Sequence, residues 1–227
     1  MPTHSRIEWR PSYRIVSSRF PPVGLFDAIA APEDLEVLFL LESLTNPRLR
    51  DDLGQIALVP AERRCCGPGT TPIMAAFTHL NPEGSRFTNG SYGVYYAALD
   101  CETAVAETAF HRARFLSRTA EPPCIVEMRC YLGDIAAELD DIRDGFPNIH
   151  DPDSYVASQR FAWELREQGS DGLVYDSVRH TGGQCVALFY PDLIAPVRQG
   201  PHLYYHWDGR EITHAVVTSD IIIPTRH

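Results

Sequence analysis

Glu107 sits in the sequence setting that most invites chemistry. It lies in Ala104-Val-Ala-Glu-Thr-Ala-Phe110, small or apolar nearly all around, and a helix apolar on every side is usually buried. A carboxylate placed there loses its hydration unless partners replace it. On an exposed face the same glutamate would simply pair with His111 one turn later, and the local pattern leaves both readings open. Arg86 and Asn89 come next: Arg86-Phe-Thr-Asn89-Gly sets a guanidinium beside an aromatic ring and ahead of a tight turn. The free N–H groups of such a turn suit an anion; the alternative is an arginine lying along the surface. Tyr95 and Tyr96 are neighbours on a strand, so one faces the core and the other faces away. Arg14 projects from the opening strand and needs an anion, a partner or solvent. Ser177 ends an apolar strand just ahead of Val-Arg179-His180, where a hydroxyl can bind a ligand or merely shape a turn.

Elements must hold these residues in place. Tyr13 begins a short strand stopped by Pro21-Pro22. Pro32 opens a helix through LEVLFLLESL that Asn46-Pro47 ends, with a further helical piece at 48–53. Residues 60–72, PAERRCCGPGTTP, read as a loop. Gly93 to Ala98 form a strand rich in β-favouring types. Asp100 caps a helix over 101–117, with Glu102 in its first turn. Strands follow at 124–131, 172–176 and 185–190, the last two around a polar loop at 177–184, and a helix over 152–168 closes at Gly169. The tail forms a hairpin, 202–207 with 211–218, joined at Asp208-Gly209. Short strands broken by a few helices, without regular β-α-β alternation, predict an α+β fold.

Composition sets the bounds. The 227 residues suit one domain, 1–227, and 44% hydrophobic with 22% charged residues is ordinary globular composition. No apolar run is long enough for a membrane span, and the start lacks a secretory signal, which predicts a cytoplasmic protein. A net charge of −10 opposes direct nucleic-acid binding, yet a few convergent arginines still hold an anionic small molecule. The six cysteines form no C-x-x-C pair and the nine histidines are scattered, so reduced thiols and no metal are expected.

Taken in order, Arg14, Arg86-Phe-Thr-Asn89-Gly, Tyr95-Tyr96, Glu107 and Ser177 resemble the RES-domain family, named for its Arg, Glu and Ser. The strongest stretch is RFTNGSYGVYYAALDCETAVAET; the second, GSDGLVYDSVRHTGGQCVALFYPD, is similar to the family's closing strand–Ser–loop–strand unit. The likeness covers most of residues 10–195. Ser85 precedes Arg86, Phe87 stands where Trp is commoner, and residues of about 25–70 look like a helical insertion near the N-terminus.

The resemblance implies a split β-sheet core like that of the ADP-ribosyltransferases, with surrounding helices. It implies the toxin of a bacterial toxin–antitoxin system that consumes NAD⁺ as substrate, without metal. Nicotinamide–ribose cleavage would pass ADP-ribose to an acceptor, a target protein or, alternatively, phosphate or water. A silent partner-binding module is the second alternative. Glu107 and Arg86 would be catalytic; Arg14, Tyr95, Tyr96, Asn89 and Ser177 would bind the dinucleotide. The implied partner is an Xre-type helix-turn-helix antitoxin, and a homodimer is compatible with the resemblance.

Overall fold

The computed structural model describes residues 2–18, 27 and 55–218. The helical pieces expected at 32–46 and 48–53 lie outside them, as does most of the expected insertion. Within the described residues the fold is mixed α+β, a seven-stranded sheet with three α-helices. The strands are β1 (Thr3–Ser17), β2 (Tyr95–Ala98), β3 (Cys124–Asp141), β4 (Gly172–Asp176), β5 (Gln184–Leu188), β6 (Arg198–Trp207) and β7 (Ile212–Thr218). The helices are α1 (Thr71–Thr78), α2 (Cys101–Arg118) and α3 (Val156–Glu167). None of them is long and apolar enough to cross a membrane.

The strand order is β1-β2-β5-β4-β3-β6-β7, and β1 also pairs with β3, so five strands form a closed circuit. Its seams are unequal. β1 and β3 pair along most of their lengths, whereas β1 and β2 meet at a single pair, Tyr13 with Ala98. β3 and β4 run parallel and the other neighbours antiparallel. The hairpin of β6 and β7 extends the sheet from β3, turning at Asp208, whose Oδ1 accepts from the N–H groups of Arg210 and Glu211.

β1 and β3 are longer than the sequence suggests. Ile7 and Trp9 are buried while Arg6, Glu8 and Arg10 face solvent, so charge on the outer face masks a period-two strand. Pro11, which cannot donate to a ladder, falls where the register shifts between Trp9 and Ser12. In β3, Ile135, Ala137 and Leu139 repeat the alternation beyond the expected end at Tyr131.

The central strands are buried on both faces, which is why they read as unbroken apolar runs. Tyr95, Ala97, Val174, Val186 and Leu188 pack with Ile73, Met74 and Phe77 of α1 in one core. Their alternates Ala98, Leu173, Tyr175, Cys185 and Ala187 join Phe87, Ala104 of α2 and Leu165 of α3 in a second. α1 approaches closely because Gly93 has no side chain: a Cβ there would lie 2.2 Å from Phe77 Cα. α1 begins at the end of the expected 60–72 loop and carries a distant cap. Asp27 Oδ1 accepts from Thr70 N at 3.1 Å, Thr71 N at 3.0 Å and Thr71 Oγ1 at 2.9 Å. At the other end of the helix, Gln55 N donates to Thr78 O at 2.7 Å.

Candidate active site

α2 carries the central residue, and its start is set locally. Asp100 is extended and its Oδ1 accepts from Thr103 N at 2.7 Å, a side-chain cap for an otherwise orphan donor. Thr103, Ala104 and Leu116 are buried against the sheet. The adjoining face, with Glu107, Thr108, His111, Arg114 and Arg118, lines a cleft of about 1080 Å³. Across it stand residues 81–86 and the thin β1–β2 seam, including Arg14 and Tyr96.

Glu107 Oε1 accepts from Ser177 Oγ at 2.6 Å. The direction of this bond is forced. Ser177 Oγ already accepts from Arg179 N at 3.1 Å and His180 N at 3.0 Å, which uses its lone pairs and leaves its proton for the carboxylate. Ser177, only 9% exposed, thus meets Glu107 across 70 residues of sequence, and among the described residues Oε2 stays available to the cleft.

Arg86 is equally constrained. It is 6% exposed, donates from Nη1 to Asp151 O at 2.8 Å and Ile149 O at 3.3 Å, and lies 4.6 Å from the Tyr155 ring centroid. Its loop hangs on Tyr96, whose hydroxyl accepts from Phe87 N at 3.0 Å and meets Ser85 Oγ at 2.7 Å. Burial pushes the Tyr96 hydroxyl up to about 12, against the pull of those two bonds and of Arg86, so it stays protonated.

Arg14 lines the same cleft and bonds the carbonyl of Tyr96 through Nη1 at 3.0 Å. Burial pulls its guanidinium below the ordinary arginine value, against the ring oxygens of Tyr95, Tyr96 and Tyr131. Its Nε is buried without a partner among the described residues. The adjacent tyrosines part company here. Tyr96 lines the cleft, whereas Tyr95 is fully buried in the first core, its ring 4.6 Å beneath Arg14. Asn89 is not brought to the cleft. It is exposed and folds its own turn, accepting from Ser91 N at 3.1 Å and Ser91 Oγ at 2.7 Å.

The chain is similar to known proteins. The sequence model of the RES domain matches residues 61–208, more than half of the chain, and spans Arg86, Glu107 and Ser177. The chain belongs to the RES domain family. A relative, the uncharacterized protein y4oC of Sinorhizobium fredii (strain NBRC 101917 / NGR234), is 31% identical over 204 residues, 88% of this chain and 84% of that one. Among solved structures, the M. tuberculosis MbcT–MbcA toxin–antitoxin complex contains a chain similar at 10% identity and a TM-score of 0.46, covering 94% of this chain and 87% of that one. That likeness is too slight to bear on the reaction.

This RES chain also brings in residues that the motifs do not mark. Tyr155, beneath Arg86, comes from the turn before α3, where the sequence predicts the first turn of the helix. His111, Arg114 and Arg118 had a sequence signal: with Glu107 they recur at i, i+4, i+7 and i+11, a single helical face. His111 is pulled down to about 4, first by burial in the cleft wall and then by Arg179, Arg86 and Arg114. Three guanidiniums thus act on one point of the cleft. Arg179 is held over Phe110, 3.3 Å from its ring centroid, and donates to Pro152 O.

Proposed function

We propose that this RES chain is the toxin of a bacterial toxin–antitoxin pair, an enzyme that breaks the nicotinamide–ribose bond of NAD⁺ and passes ADP-ribose to an acceptor. Membership of the RES family supports the toxin role and the dinucleotide substrate. The observation that carries the reaction is the Glu107–Ser177 pair at 2.6 Å inside an arginine-edged cleft. The sheet buried on both faces, with a cleft at its thin seam, suits the ADP-ribosyltransferase-like core that the sequence implies.

In this reading nicotinamide leaves with the bonding pair and becomes neutral, so positive charge develops on the ribose as in glycoside hydrolysis. Glu107, oriented by Ser177 through Oε1, accepts a ribose hydroxyl at Oε2 and stabilises that charge. The acceptor then bonds the anomeric carbon and releases its proton. Arg86 spends Nη1 on two carbonyls, which fixes the rest of its fork for the substrate. Arg14 and the α2 arginines face the phosphates, and Tyr96 offers its ring to the nicotinamide. A volume of about 1080 Å³ accommodates a dinucleotide. The partner is an antitoxin of the Xre helix-turn-helix type.

The acceptor is a protein in our reading, with phosphate and water as the competing outcomes. Glu107→Gln is expected to keep the fold and lose about a hundredfold or more in rate. NAD⁺ loss is followed with and without phosphate, then with labelled NAD⁺ and cell lysate. A labelled protein band supports the transferase; phosphate-dependent release of a phosphorylated ADP-ribose replaces it with a phosphorylase. Unchanged turnover in Glu107→Gln removes Glu107 from the mechanism.

A further inference from the structure

Thr103 is fully buried on the first turns of α2, yet its hydroxyl does more than complete a cap. It lies 2.8 Å from Asp100 Oδ2 and 2.8 Å from His180 Nδ1. An ionised carboxylate only accepts, so the hydroxyl proton goes to Asp100 and the oxygen must accept from His180. That places a proton on Nδ1 of the imidazole. From His180 the chain of bonds continues. Its backbone N–H donates to Ser177 Oγ, and Ser177 Oγ donates to Glu107.

The loop carrying these groups is tied to itself as well. Ser177 N donates to Gly183 O at 2.8 Å, and Gly183 N donates to His180 O at 3.0 Å. Gly183 is where the loop meets the helix. A Cβ there would lie 2.3 Å from Thr103 Oγ1 and 3.1 Å from His180 Nδ1. The contact therefore exists only because residue 183 has no side chain, and a helix cap by itself would need neither His180 nor Gly183.

We propose that Thr103 and His180 are positioning residues for Glu107: the line Asp100–Thr103–His180–Ser177 locks the loop after β4 to the start of α2 and so aims the carboxylate two turns later. Every proton on this line has one possible direction. Loss of the Thr103–His180 link loosens the loop that presents His180 N to Ser177 Oγ, leaves Arg179 N as the hydroxyl's other donor, and so weakens the aim of the Ser177–Glu107 bond. The catalytic part of this inference rests on the proposed function; the hydrogen-bond line does not.

Two matched pairs of variants test it, each reading kcat and KM for NAD⁺ together with NMR of His180 and of the Glu107 carboxyl carbon. Thr103→Val removes the hydroxyl at constant shape, and Thr103→Ser restores it. His180→Ala removes the donor, and His180→Asn returns an N–H near the Nδ1 position. Loss of orientation is expected to lower kcat on the order of tenfold to a hundredfold with KM nearly unchanged, and the conservative variant of each pair is expected to recover most of it. Long-range proton–nitrogen NMR is expected to show the Nδ1–H tautomer in the wild type. Should Thr103→Val fold poorly, the His180 pair decides, since His180 lies outside both cores. An Nε2–H tautomer, or full kcat in both disruptive variants, overturns the proposal. If the wild type consumes no NAD⁺, the proposed function fails on its own. The Glu107 carbon resonance then decides the relay: moved by His180→Ala and restored by His180→Asn it stands, and unmoved it falls.

Discussion

Two consecutive tyrosines open onto two different kinds of interior. Below β2, Tyr95 enters a core of Ile73, Met74, Phe77, Ile135 and Leu139, where burial of apolar surface needs no direction. Its own hydroxyl is buried without a partner among the described residues. Above β2, Tyr96 enters a region shared by Ser85, Arg86, Glu107 and Ser177, where each polar group meets a named donor or acceptor. The first region stabilises by packing and tolerates an idle oxygen. The second borders the cleft and holds its largely buried groups by oriented bonds, which also fixes them in place. Stability and reactivity are thus separated by the thickness of one strand.

Breaking the packed side should show the largest change in stability. Phe77→Ala is expected to cost about 3–5 kcal/mol in denaturant unfolding, with kcat per folded molecule unchanged. A matching collapse of kcat would mean that the two interiors are coupled. Tyr96→Phe is the counterpart above the strand. It strands the Phe87 N–H and frees Ser85, so a loss of about 1–3 kcal/mol is expected, this time with reduced NAD⁺ turnover. Tyr95→Phe removes only the unpartnered oxygen and should leave stability equal or higher by up to about 1 kcal/mol. A larger penalty there than at Tyr96 would invert the comparison.

His111 sharpens the contrast from the cleft side. The folded chain holds its imidazole down to about 4 from the usual 6.5, so the unfolded chain takes up the proton first as pH falls. Stability should therefore decline as pH drops from about 6.5 through about 4. A phosphate-bearing ligand answering the surrounding arginines should raise that value, read as a shifted imidazole titration. No shift on saturation with NAD⁺ would place the phosphates elsewhere.

Much of the second region was legible because its signals are local or ordered along the chain. Asp100 caps α2 as its spacing predicts, Gly169 follows α3, and the hairpin turns at Asp208-Gly209. α3 starts at Val156, four residues later than expected, because Asp151 Oδ1 draws the N–H groups of Asp153 and Ser154 into a turn. The full lengths of β1 and β3 were hidden by charged outer faces and by Pro11. Their mutual pairing, which closes the strand circuit, has no local signature at all. Asn89 illustrates the opposite error of emphasis: its place in the motif suggests ligand binding, but its carboxamide oxygen is occupied by Ser91.

Asp27 and Gln55 hold opposite ends of α1, a helix of eight residues. At 1.5 Å per residue their anchor points are only about 12 Å apart, a gap that roughly four extended residues can span. Positions 27 and 55 are therefore close enough for a short link to join them. A short graft from position 27 to position 55 would keep the Asp27 clasp, leave the strand circuit uncut and give a minimal scaffold.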